Sequence, residues 1–121
     1  ILYEHEPEVL SQVEISASTL SAVKEGMYNL TSSGSLARYF KDCVVSAGAK
    51  TGTAQINADT TNNGVFVCFA PYDDPQIAVA VVIEKGGSGA ALASTAVDIV
   101  NSYFSQEEIG AVVIGENTLL K

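Results

Sequence analysis

Two apolar runs constrain this chain more than anything else in it: GVFVCFA at residues 64–70 and IAVAVVIE at residues 77–84. Both are short, rich in Val, Ile and Phe, and bounded by turn-forming residues. Near-continuous rather than alternating hydrophobicity predicts strands buried on both faces. The six residues between them, PYDDPQ, carry Pro and Asp where a tight reversal favours them. Upstream, the polar loop NADTTNN (57–63) joins the first run to a third strand candidate, residues 44–56. Strands joined by such short connections form an antiparallel meander. A sheet of this kind has to bury its apolar surface against another layer.

Helical periodicity supplies that layer. Leu20, Val23, Met27 and Leu30 recur at helical spacing, with Ser16 or Ser18 available to cap the first turn. Gly26 lies inside this stretch and weakens the helix by about 1 kcal/mol relative to Ala, so close packing is expected there. SSGS (32–35) ends the helix, and LARYF (36–40) predicts one further turn. After KGGSG (85–89), residues 90–104 fit a second helix with Leu92, Ala96, Ile99, Val100 and Phe104 on one face. Residues 1–16 read as an extended connector with one short strand, 17–105 as the helix-meander-helix body, and 106–121 as a tail. The expected class is α+β: a three-stranded antiparallel meander packed by N- and C-terminal helices.

Charge and ligand chemistry remove several functions. Six basic against fourteen acidic residues give a net charge of −8, which opposes binding to nucleic acid or an anionic membrane. Cys43 and Cys68 have no histidine nearby to complete a metal shell, and His5, the only histidine, sits among glutamates; neither a metal nor a cofactor is expected. The 44–56/64–70 hairpin is expected to place Cys68 opposite the Gly52 region, not Cys43, so no disulfide is expected. No run of eighteen apolar residues spans a membrane. The chain opens without Met or a leader pattern, on ILYEHEPEVL, and reads as a segment of something longer.

The stretch VVSAGAKTGTAQINAD (44–59) carries the chemistry. It is not a phosphate-binding P-loop, which requires GxxxxGK[ST] opening a helix. Here Val44 and Ala49 stand where glycines should be, and a β-branched run follows. As a strand, Lys-Thr-Gly-Thr sets a fixed charge and two hydroxyls along an edge. Gly52 leaves the backbone open to close approach. A free edge also pairs with extended peptides. On these grounds alone, a peptide-carboxylate site and a merely polar strand edge fit equally well.

KTGTAQ, followed by a polar loop and the GVFVCFAP strand, resembles the third motif of penicillin-binding proteins. STLSAVKEGMYNL upstream and IAVAVVIEKGGSGAALASTAVDIVNSYF downstream are similar in type and order to the class B, high-molecular-mass branch. The resemblance covers about residues 15–105, with SAGAKTG where the branch more commonly reads AGKTG. It implies a fragment of the penicillin-binding and serine β-lactamase-like fold. The implied parent is a peptidoglycan D,D-transpeptidase that cross-links stem peptides through a serine acyl-enzyme and is acylated by β-lactams. It implies catalytic roles for Lys50 and for Thr53, whose amide is half of the oxyanion hole, and substrate contacts for Thr51, Gly52 and Gln55. Catalysis in the family also needs S-x-x-K and S-x-N. Ser21-Ala-Val-Lys24 matches the first only in letters, because it stands 29 residues before Lys50 rather than more than a hundred. The nucleophile is therefore expected in an N-terminal portion of the same protein, anchored at the extracytoplasmic face of a bacterial membrane, and this piece alone is expected to be inactive. That portion would also pair with strand 77–84; without it, a strand-swapped or edge-paired homodimer is expected. The rival readings are a non-catalytic peptide-binding module and a serine β-lactamase or β-lactam sensor.

Overall fold

The computed structural model describes residues 8–55 and 61–116, with side chains described as far as Ser105. Helix α1 spans Ala17–Ser32 and starts at Ser16, whose hydroxyl accepts the Thr19 amide at 3.1 Å. Ser16 is extended (φ −68°, ψ 149°), the conformation an N-cap adopts, which settles the choice between the two serines. At the other end, the amides of Ser33 and Gly34 both reach the Asn29 carbonyl. A side chain at Gly34 would stand 2.9 Å from that oxygen, so only glycine lets the chain turn back there. One short turn, α2 (Ala37–Phe40), follows.

Strands β1 (Gly48–Ala54), β2 (Asn63–Ala70) and β3 (Ile77–Ile83) form an antiparallel sheet in the order β1-β2-β3. A 3-10 turn at Gly89–Leu92 leads into α3, Ala93–Glu116. The meander and its flanking helices are as the sequence predicts. Of the expected loop 57–63, residues 57–60 lie outside the described residues. Residues 8–16 contain no strand, and residues 1–7 are outside the described residues. The expected tail is helical through Glu116.

The register keeps Cys68 opposite the motif strand and away from Cys43, as expected, and fixes which face each motif side chain takes. Cys68 pairs with Ala49, and Gly52 pairs with Val65. An odd shift moves every side chain to the opposite face. A pairing shifted by one residue would set Lys50 on the face of Phe66, which is 0% exposed and stacked on Phe40 with ring centroids 6.4 Å apart. Burying an ammonium there without a partner costs several kcal/mol. In the observed register, Ala49, Thr51 and Thr53 share the face of Cys68, Phe66 and Gly64, while Lys50 and Gly52 share the other with Val67 and Val65.

The core lies on the first face. Phe66, Cys68, Ala70 and Val79 pack under Leu36 and under Ala93, Ala96 and Val100 of α3. On α3 the buried stripe includes Val97, whereas Ile99 is 41% exposed. Among the described residues, the second face is covered only at one end. There Gly48 is filled by the Phe69 ring, 2.6 Å from an added Cβ, with Met27 of α1 at 3.3 Å. Farther along, Val67 and Val82 are exposed. The apolar runs therefore bury one face within this chain, not both. Helix α1 is likewise half used: Leu20 and Val23 are 48% and 56% exposed, and an added Cβ at Gly26 meets nothing within 4 Å. No helix among the described residues is long and apolar enough to cross a membrane.

Candidate functional site

The lead-in to β1 is fixed by side chains from both helices rather than by ladder pairing. Asn101 of α3 accepts the Val44 amide at 2.9 Å and donates to the Asp42 carbonyl at 3.0 Å. The Thr31 hydroxyl of α1 lies within hydrogen-bonding reach of the Tyr28 and Ala47 carbonyls. The Ser46 carbonyl accepts the Tyr72 amide at 2.9 Å. Residues 44–47, expected as strand, are therefore a clamped approach to it, and β1 begins at Gly48. Sequence reasoning missed Thr31 and Asn101, because polar residues on a helix reveal no partner so distant in the chain.

β1 is an edge strand, and among the described residues no strand pairs with its outer side. Beside it lies a groove of about 370 Å³ lined by Val23, Gly26, Met27 and Leu30 of α1 and by Ala49, Lys50 and Thr51 of β1. Lys50 is exposed, and its ammonium donates to the Thr51 carbonyl. A neutral acceptor leaves that charge uncancelled, so it can still attract an anion. Lys50, Thr51, Gly52 and Thr53 thus follow one another along this edge, Lys50 and Gly52 on one face and Thr51 and Thr53 on the other; of the four, Lys50 and Thr51 line the groove. Thr51 and Gly52 are half-buried and Thr53 is exposed; Gln55 lies just past the end of β1 and is exposed.

Gly52 is open from above. A Cβ built there meets only Val65, at 3.4 Å or more, which is ordinary contact. Packing among the described residues therefore does not require glycine, and an open strand position of this kind suits close approach by a ligand.

The Ser21–Lys24 pair is not at this edge. It lines a separate groove with Leu20, Tyr72 and Asp73, and the Lys24 ammonium stands over the rings of Phe69 and Tyr72 at 5.6 and 5.4 Å. A lysine held over two aromatic rings is a cation–π contact rather than a base for Ser21. Cys68 is buried, and desolvation together with the nearby Cys43 pushes its thiol up to about 11. It serves as an inert core side chain.

A profile described as "Penicillin binding protein transpeptidase domain" matches residues 1–103. The chain is 34% identical over 104 residues to the peptidoglycan D,D-transpeptidase MrdA of Escherichia coli, covering 73% of this chain and 16% of that protein. Among solved structures, penicillin-binding protein 2B of Streptococcus pneumoniae aligns with 31% identity and a TM-score of 0.68, over 88% of this chain and 19% of that one. An imipenem acyl-enzyme complex of penicillin-binding protein A from M. tuberculosis aligns with 27% identity and a TM-score of 0.55, over 71% and 20%. The chain thus spans about 16% of the length of the curated relatives it resembles.

Proposed function

This chain belongs to the penicillin-binding protein transpeptidase-domain family, in its class B branch, and we propose that it is the C-terminal part of a serine D,D-transpeptidase, supplying one wall of the acyl-transfer groove. The observation that carries this is the Lys50–Thr53 stretch, with Lys50 and Thr53 exposed, on a strand edge that is unpaired among the described residues and lies beside an open groove.

In the proposed reaction, a serine from the N-terminal portion attacks the D-Ala-D-Ala carbonyl of a stem peptide. The terminal D-alanine leaves, and a second peptide's amine then resolves the ester. Lys50 holds the S-x-N serine of that portion and draws the donor carboxylate into the groove, while the Thr51 and Thr53 hydroxyls anchor the carboxylate. The Thr53 amide donates to the developing oxyanion, together with the nucleophile's own amide. Gly52 lets the acyl chain lie flat on the strand, and Gln55 extends the contact along the edge. β-Lactams enter as mimics of the same acyl donor. The related acyl-enzyme with imipenem supports this chemistry. The parent would act at the extracytoplasmic face of the membrane, where its peptidoglycan substrate lies.

Fluorescent penicillin tests the reading. The intact parent becomes covalently labelled, and residues 1–121 alone do not. Absence of label on the parent would point to a non-catalytic peptide-binding module, and rapid turnover of the label to a β-lactamase. Gly52→Ala in the parent sharpens the test. Removing a strand glycine should raise stability by up to about 0.5–1 kcal/mol. The new methyl should slow labelling by roughly tenfold by lifting the acyl chain off the strand. Unchanged labelling would remove Gly52 from the site.

The outer edge of β3 is also unpaired among the described residues, and Val82 and Ile83 are 64% and 44% exposed. An apolar edge of this kind templates pairing. Residues 1–121 expressed alone should therefore sediment as a dimer or larger species at high concentration. Adding the N-terminal portion should convert them to a one-to-one complex. A strictly monomeric species by analytical ultracentrifugation would contradict this.

A further inference from the structure

We infer that Gly89, in the loop between β3 and α3, is a positioning residue for the oxyanion donor: it supports the Gly52–Thr53 peptide from behind and sets the direction of the Thr53 amide. The inference rests on the function proposed above and adds a residue from outside the motif strand to it.

Gly89 is buried at the start of the 3-10 turn. A Cβ built on it would collide with the carbonyl oxygens of Gly52 and Val65 and stand 3.0 Å from the Gly52 nitrogen. All three obstacles are backbone atoms of paired strands, because Gly52 and Val65 are register partners; none can swing aside as a side-chain tip can. Nor does conformation demand the glycine. Among the described residues, the glycine with positive φ in this loop is Gly87 (φ 74°), not Gly89. What position 89 needs is space, and what fills that space is the Gly52 backbone of the motif strand together with the Val65 carbonyl of β2.

The contact matters because of peptide geometry. The Gly52 carbonyl and the Thr53 amide belong to one planar unit. The cis bond among the described residues is Ala70–Pro71, so this unit is trans, and its C=O and N–H point in opposite directions. A group pressing on the carbonyl from the Gly89 side therefore reorients the amide on the other side, toward the open edge of β1. Gly52 itself has slack, its own Cβ position being nearly free. Beyond its ladder pairing with Val65, the constraint on the peptide comes from Gly89.

The loop is anchored well enough to transmit that constraint. The Gly87 amide donates to the Asn62 carbonyl at 2.8 Å, and the Lys85 amide to the Asn63 side-chain oxygen at 2.9 Å. The Ser88 hydroxyl accepts the Ala90 amide at 3.3 Å, and buried Leu92 lies 3.2 Å from a Cβ built on Gly64. Held at both ends, the loop cannot retreat from a methyl group at position 89, so the paired Gly52 and Val65 backbone has to shift, and the Gly52–Thr53 peptide shifts with it. A displacement approaching 1 Å costs about 10²-fold in rate.

The experiment uses the full-length parent and stopped-flow acylation by fluorescent penicillin. Gly89→Ala should lower the acylation rate constant by about 10²-fold while changing the half-saturating concentration by less than about threefold, because the carboxylate anchors stay in place. In the accumulated acyl-enzyme, the ester carbonyl stretch in the infrared should rise to higher wavenumber as its hydrogen bond weakens. Asn63→Ala, which removes one loop anchor without adding bulk, should give a smaller loss of about three- to tenfold with the same infrared trend; it provides the reading if Gly89→Ala fails to fold. A labelled wild type with unaffected Gly89→Ala, or with Asn63→Ala unchanged in rate and infrared signature, would overturn this inference alone. An effect confined to half-saturation would do the same. A wild-type parent that takes no label would overturn it together with the proposed function.

Discussion

Replacing Lys50 by alanine in the intact parent should slow acylation by β-lactams by about 10²–10³-fold. At about 4 Å and an effective dielectric near 20, an ammonium and a carboxylate attract by roughly 4 kcal/mol. That would be about three decades if the full amount were lost in the transition state. In this chain the ammonium meets a neutral carbonyl, so little of its charge is spent before a ligand arrives. Lys50→Arg separates charge from shape: it keeps the cation but presents a planar fork in place of a compact ammonium, and should recover only part of the loss. Acylation of Lys50→Ala within threefold of wild type would remove the lysine from the mechanism.

The largest loss of stability should come from Phe66→Ala, at about 3–5 kcal/mol by chemical denaturation of the parent. Phe66 is fully buried, stacks on Phe40, and lies in the layer capped by α3. Its removal leaves a cavity between rigid elements that cannot collapse to fill it. Phe66→Leu conserves more of the volume and should cost less than about 1.5 kcal/mol. A cost below 1 kcal/mol for the alanine variant would mean that the core does not sit on this face. The register that carries Lys50 to the opposite face would then be in doubt.

That register marks where the sequence stops being informative. The strands themselves were legible from their apolar runs, and β2 and β3 fall within a residue of the expected 64–70 and 77–84. The pairing was not, because it depends on how the polar loop between β1 and β2 closes, and loop composition does not count rungs. Phe66 and Lys50 together contain the missing constraint: they cannot share a face, which excludes registers shifted by one residue from the observed one. Helix faces were read less well. Leu20 and Val23 follow the helical period yet remain exposed, and Ile99 gives its expected place to Val97. Periodicity reports that a face is apolar, not which neighbour covers it. Within the candidate site, the KTGT run was visible at once. The supports from Thr31, Asn101 and Gly89 arise from contacts between residues distant in sequence, and no local pattern signals them.

A crystal structure of the parent acylated by penicillin tests the central claim most directly. It should show the ester carbonyl oxygen within hydrogen-bonding distance of the Thr53 amide, and the drug's carboxylate against Thr51, Thr53 and the Lys50 ammonium. A serine acylated at a site where the ligand touches none of residues 50–53 would contradict it.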